Sequence, residues 1–357
     1  MPQNDKEKWQ LDLASYIRQG EPEQAEKSAA WKTAIGLQDV DGLKTSDYLL
    51  ETAKEHIEGK IDIKTVNKRI QSYYKTRQTR SEIEAGTKEA DIVSARITEI
   101  LGENTFQFSP AEWKTIHRRL FKDILSQAGK YRTYNISKSE WVLNGETVLY
   151  ASADSIKDTL NYDFAQEKAF SYEGLSVSEA IKHIAVFTSG IWQIHPFCEG
   201  NTRSTAVFII KYLKTFGFQI NNDIFAENSW YFRNALARAN YNNIVKGVSA
   251  STLYLERFFE NLLLDANNDL KNRYIHVDYH ENPQSANVSF PKCNNCTLEE
   301  LAILNEIRNK PTITQKELAV LVGKSERTVK TRTVELQKKG ILRRENGKRN
   351  GRWEILF

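Results

Sequence analysis

Only three cysteines occur in the 357 residues, at positions 198, 293 and 296; so few, and an odd number, argue against a disulfide framework. No apolar run approaches the ~18 to 20 residues of a membrane span, and the start Met1-Pro2-Gln3-Asn4-Asp5 is too polar for a signal peptide. The expectation is a cytoplasmic chain with no membrane partner. Neither G-x-x-x-x-G-K-[ST] nor G-x-G-x-x-G is present, which removes the two common glycine-rich phosphate grips. Charge of one sign is barely in excess, at +4 overall, but residues 297–357 carry 14 Lys and Arg against 8 Asp and Glu, a local +6 that leaves the remainder at −2. A polyanion partner is therefore expected for the C-terminal segment alone. What is there is ordinary for a soluble protein, 40% hydrophobic and 27% charged, and long enough for two or three domains.

The most informative stretch is His195-Pro196-Phe197-Cys198-Glu199-Gly200-Asn201-Thr202-Arg203. Ser176 with Glu179 reads as a capping box, and apolar residues at helical spacing carry a helix from there towards Trp192. A second apolar helix runs from Ala206 to Phe216, with Gly217 as its stop. The stretch is thus a loop between two helices whose last residues open the second. The free N–H groups of Gly200, Asn201 and Thr202 at that helix start would hold a phosphate. Glu199 is a hard oxygen ligand for Mg²⁺, Arg203 can fork onto a phosphate, and His195 is the natural general base. Cys198 is given no chemical role.

These residues fit H-x-F-x-(D/E)-G-N-x-R, and the chain here resembles the Fic family of nucleotide-dependent protein-modifying transferases. The likeness continues through Gly129-Lys130-Tyr131-Arg132 and covers roughly Phe108 to Leu264. It implies a mainly α fold, a helical Fic-like core with a β-hairpin flap, and AMP transfer from ATP, with Mg²⁺, to a Ser, Thr or Tyr hydroxyl of a protein substrate or of the chain itself. His195 would be the base, Glu199 the metal ligand, Gly200, Asn201 and Thr202 the phosphate cradle, Arg203 the holder of the leaving phosphates, and Phe197 the core anchor. Two positions depart from the family pattern: Thr202 replaces a frequent glycine, and Ala206 stands where a second arginine helps hold the terminal phosphate. Another nucleotide or phospho-donor therefore stays open. So does a transcriptional regulator whose Fic-like domain only senses nucleotide.

Trp141 to Tyr150 holds two β-rich runs around Asn144-Gly145, the sequence signature of a hairpin. It corresponds to the flap of Fic-like domains, whose edge pairs with an extended target segment. Trp230, Tyr231, Phe232, Asn234 and Asn240 fall where such domains line the adenine pocket; of these, Asn240 is retained as a nucleotide contact.

Residues 297–357 read as a winged helix-turn-helix. Its helices run from Leu298 to Ile307, Gln315 to Val322, and Ser325 to about Lys339, followed by a hairpin around Asn346-Gly347. Arg327, Lys330 and Arg332 on the third helix, and Arg343, Arg344, Lys348 and Arg349 on the wing, would face DNA. Such readers commonly pair, so a homodimer is expected; protein contact is the other use of this fold.

Residues 1–75 form short helices, and Ala34 to Leu43 followed by Ile57-Glu58-Gly59-Lys60-Ile61 resembles the small VbhA-type antitoxins that pair with Fic toxins. In their inhibitory helix an acidic group meets the second motif arginine. Asp41 falls at that place, so any restraint here must run through Arg203 or through sterics. A second segment, Arg80-Ser81-Glu82-Ile83-Glu84-Ala85, resembles the inhibitory helix of self-inhibited Fic proteins and makes Glu84 another candidate. The catalytic domain then spans 76–264 and a linker 265–296. Within that linker His276, His280, Cys293 and Cys296 are either a zinc site or a hinge with incidental thiols.

Overall fold

The computed structural model describes residues 22–75, 81–220, 223–279, 296–345 and 351–356. Arg80, His280, Cys293, Asn346, Gly347, Lys348 and Arg349 lie outside them. The chain is mainly α, and the only two strands among the described residues are those of the C-terminal wing.

The body is built around one buried helix. Ser176 and Glu179 do form a capping box and open α7, Val177–Ile194. The chain then turns through the loop into α8, Asn201–Thr215, along which residues 201–213 are buried on all sides. A helix buried all round lies in the centre of a body rather than on its face, and its polar residues, Arg203 and Lys211 among them, are paired inside it. It stops at Phe216, and Gly217 continues at φ +98°. Around it lie α4 (Glu82–Gly102), α5 (Pro110–Phe121, capped by Ser109 with proline in its first turn) and α6 (Ile156–Ala169). Two further helices, α9 (Ile224–Ala239) and α10 (Leu253–Leu264), close the body against α7.

The N-terminal segment is part of this body. Helices α1 (Pro22–Gly36), α2 (Asp47–Ile57) and α3 (Ile63–Lys75) bury Trp31, Leu49, Ile57, Val66 and Ile70 against Ile92 and Ala95 of α4 in a small core of their own. The end of α1 lies against the start of α9 so closely that a Cβ on Gly36 would sit 2.2 Å from the Ala226 carbonyl oxygen. Ser229 donates to the Gly36 carbonyl at 2.8 Å, and Lys32 pairs with Asp223 at 2.5 Å. From that anchor the chain makes a 3₁₀ turn, Leu37–Asp41, ended by left-handed Gly42.

The strands expected on either side of Asn144-Gly145 do not form. Trp141–Leu143 is a 3₁₀ turn, and the loop closes by the Glu140 N–H donating to the Glu146 carbonyl at 2.9 Å. Asn144 and Gly145 take the left-handed conformation that Asn-Gly favours (φ 57° and 82°). The neighbours Val142 and Leu143 are both fully buried, however, and a half-buried strand must alternate. The stretch expected as a linker is docked over residues 265–279: it forms the short α11, Asn272–Ile275, buries Ile275, and donates from the Val277 N–H to the Val142 carbonyl at 3.0 Å.

The C-terminal module has the winged order: α12 (Leu298–Asn309), α13 (Gln315–Leu321), α14 (Glu326–Lys338, capped by Ser325), then β1 (Leu342–Glu345) antiparallel to β2 (Arg352–Ile355), with Leu342 opposite Ile355. It shares the apolar core of the body. Asn305 donates to the Leu263 carbonyl at 3.0 Å, Gln219 donates to the Leu321 carbonyl, and a Cβ on Gly217 would stand 3.0 Å from the Val322 carbonyl oxygen.

Candidate active site

The loop between α7 and α8 is held from three directions. His195 ends α7 in the left-handed conformation (φ 49°). Arg132, 2% exposed, donates from Nε to the His195 carbonyl at 2.8 Å, from Nη1 to that of Tyr134 at 2.8 Å, and from Nη2 to those of Ala151 and Ile194. Its own N–H donates to the Pro196 carbonyl at 2.8 Å. His117 stacks on Phe197 with ring centroids 3.7 Å apart. The Gly129 N–H donates to its Nδ1, so Nε2 carries the proton and donates to the Glu199 carbonyl at 2.9 Å. Burial holds the His117 pKa down at about 4, so this ring stays neutral. Asn201 closes the loop on itself, accepting from the Phe197 N–H at 3.0 Å and donating to the Phe197 carbonyl at 2.8 Å. Thr202 accepts from the Trp192 indole at 3.0 Å. Gly200, at φ +72°, is required twice over, because a Cβ there would lie 2.3 Å from the Phe121 ring.

This arrangement presents the opening amides of α8 beside a neutral imidazole. His195 Nδ1 faces the Trp192 carbonyl at 3.3 Å, leaving Nε2 without a partner among the described residues. Burial first, then the positive charge of Lys138, presses its pKa well below the ordinary imidazole range; Arg233 and Arg132 add to this, and the Trp192 carbonyl partly offsets it. The Tyr150 ring lies 4.4 Å from the imidazole. Glu199 stands on the rim, 62% exposed and 3.5 Å from Lys138 Nζ. No group of three His, Cys, Asp or Glu side chains among the described residues could hold a metal by itself. A lone exposed carboxylate suits Mg²⁺, which completes its shell with water and phosphate oxygens.

Arg203 is 3% exposed and fully engaged. Nη1 donates to Gln38 at 2.9 Å, Nη2 to Glu89 at 2.6 Å, and the plane lies over the Phe121 ring at 4.8 Å. Asp41 Oδ2 is 2.7 Å from Nε, an ion pair whose angle is not that of a hydrogen bond. Ala206 is wholly buried. Glu84 is exposed in the first turn of α4, its N–H donating to the Ser81 hydroxyl, and the carboxylate of that helix that meets Arg203 is Glu89. The hydrogen bonds of the Asn240 side chain go to elements other than the loop. Its amide donates to the Ser189 and Leu236 carbonyls at 2.9 and 3.0 Å, tying the end of α9 to α7. Arg132 falls in the family-like run 129–132, which gives it no task; Gln38, His117, Lys138, Glu140, Tyr150 and Arg233 carry no local signal of their own.

In the winged module Arg327 and Lys330 are exposed on α14. Arg332 is instead bound to Glu299 at 3.2 Å and Glu335 at 2.9 Å within the module, which removes it from a free DNA-facing set. On the wing Arg343 is paired with Glu354, and Arg344 lies over Trp353 at 4.6 Å.

Comparison with known proteins matches two parts of the chain to families. Residues 107–213 match the Fic/DOC family, and residues 300–343 match a winged helix-turn-helix DNA-binding family. Protein adenylyltransferase VbhT of Bartonella schoenbuchensis is 28% identical over 117 residues, which is 33% of this chain and 23% of that protein. The solved structure of a Fic family protein from Desulfovibrio desulfuricans G20 aligns over 97% of this chain and 95% of its own at 12% identity, with a TM-score of 0.44, a loose likeness. The chain carries a Fic/DOC family domain at residues 107–213 and a winged helix-turn-helix at residues 300–343.

Proposed function

We propose that the chain is a protein adenylyltransferase restrained by its own N-terminal segment, with a DNA-binding tail. The observation that carries this reading is the convergence on one loop of a neutral His195 whose Nε2 has no partner among the described residues, the opening amides of α8, and the cations Lys138, Arg132, Arg203 and Arg233. A general base and a concentrated positive field are what polyphosphate transfer to a hydroxyl needs. In the reaction the target hydroxyl oxygen attacks the α-phosphorus of ATP, its proton passes to His195 Nε2, and pyrophosphate departs. Glu199 would hold Mg²⁺, which neutralises phosphate charge when bound. Arg203 and the amides of Gly200, Asn201 and Thr202 would take the phosphates.

A protein target suits the rim. Leu149 is 83% exposed on the loop beside the base, and next to it Tyr241, Asn243 and Lys246 bind Glu146 and hold up a tip of Ile244 and Val245, 95% and 98% exposed. Asp41, with Gln38, occupies the guanidinium that phosphates would need, so it acts as the restraint. Incubation of the full Asp41→Ala chain with labelled ATP and Mg²⁺ tests this: label on protein that vanishes when His195→Ala is added supports transfer. The second reading, a nucleotide-sensing regulator, draws on the hold of Asp41, Gln38 and Glu89 on Arg203; it predicts that the Asp41→Ala chain binds ATP saturably with no label transferred.

A further inference from the structure

Ala206 leaves the motif with one arginine, yet a second guanidinium reaches the same carboxylate from another helix. Arg203 Nε is 2.7 Å from Asp41 Oδ2, and Arg233 Nη1, from α9, is 3.7 Å from Asp41 Oδ1. One small carboxylate thus spans two guanidinium groups, so a single anionic group in its place would be within reach of both. Arg233 is buttressed on its other side: Nε and Nη2 donate to Glu140, with the Nη2 contacts at 3.2 Å, and the cation lies over Trp230 at 5.6 Å. Glu140 is 1% exposed and also accepts from the Tyr150 hydroxyl at 3.2 Å, and the Tyr150 ring lies against His195. The guanidinium is therefore fixed by body residues on one side and by the replaceable Asp41 on the other, facing the base. Of the other two cations of the site, Arg132 is spent on backbone carbonyls and Lys138 stands beside Glu199 at the rim.

We propose that Arg233 is the second phosphate-holding arm of this site, gripping the terminal phosphates of the nucleotide together with Arg203 once Asp41 withdraws. It supplies from α9 the cation that α8 lacks at position 206. The assignment rests on the nucleotide-transfer reading above and adds a consequence to it. With Gln38 and Glu89 on Arg203 and Glu140 on Arg233, the atoms that face the place of Asp41 are Arg203 Nε and Arg233 Nη1; two cations side by side favour the higher charge of a triphosphate over a monophosphate.

The test compares Mg²⁺-ATP and AMP binding by calorimetry on the full chain. Asp41→Ala exposes Arg203 Nε and Arg233 Nη1, and this chain should prefer ATP over AMP by about 10-fold or more. Adding Arg233→Met with Glu140→Gln removes the charge pair as a unit, leaving no stranded buried carboxylate. This should weaken ATP binding about 10- to 100-fold and AMP binding by less than about 3-fold. Arg233→Lys, which keeps the charge but cannot span Glu140 and the nucleotide at once, should fall between the two, and thermal melting checks that each variant folds. Retention of the ATP preference without Arg233, or an equal loss for both nucleotides, overturns the assignment. If the Asp41→Ala chain binds neither nucleotide, the nucleotide-transfer reading fails first and takes this assignment with it.

Discussion

Replacing Arg132 by lysine tests whether the position of His195 is imposed from outside the loop. The guanidinium spreads four hydrogen bonds over the carbonyls of Tyr134, Ala151, Ile194 and His195. An ammonium keeps the charge but concentrates it at one point, and cannot span acceptors set along a planar fork. If two of the four bonds are lost, at about 1.5 to 3 kcal/mol for each bond to a charged group, stability should fall by about 3 kcal/mol or more. Burial is the first cause of the depressed imidazole, so a loosened loop should also let the His195 pKa rise towards its ordinary range. Urea unfolding and an NMR titration of the histidines read the two effects separately. A loss under about 1 kcal/mol with His195 still strongly depressed would refute the idea that Arg132 holds the base in place.

Gly200→Ala should cost about 1 to 2 kcal/mol for its left-handed backbone and about 1 to 3 more for the clash with Phe121. Gly42→Ala, also at positive φ but with nothing within 4 Å of the added Cβ, should show the first cost alone; equal losses at the two sites would contradict this. His117 has a folded pKa near 4, below its unfolded value, so below about pH 6.5 the unfolded chain binds the proton that the folded chain refuses. Stability should therefore drop as pH falls from 6.5 to 4, by up to about 3 kcal/mol from this residue alone; buried His56 shifts the same way, and denaturation midpoints unchanged between pH 7 and 5 would speak against it. Charge reversal at Arg327 and Lys330 should abolish retardation of DNA in a gel, while reversal at Arg332, already paired inside the module, should matter less; the opposite ranking would exclude α14 as the contact.

Much of this architecture is legible in the chain because its signals are local. The capping box at Ser176, the stop near Gly217, and the caps and turns of the winged module each lie within a few residues of the element they shape. The loop at 195–203 was readable for the same reason. The flap was misread because Asn144-Gly145 does make its turn, while the flanking residues answer to distant partners. Val142 and Leu143 are drawn together into the core and Glu140 is pulled inward by Arg233. Glu84 is singled out by the segment around it, whereas Glu89 stands out only once the neighbouring helix shows which acid faces Arg203. Arg132, His117 and Arg233 act across the chain, and no spacing announces them.

The seamless apolar interior running from α8 and α10 into α12, α13 and the wing has a practical outcome. Heating should melt catalytic body and reader together in one cooperative step, with no separable intermediate. A fragment cut near residue 297 would leave the wall around Leu263 and Gly217 stripped of its cover, so its behaviour is a poor guide to the intact molecule.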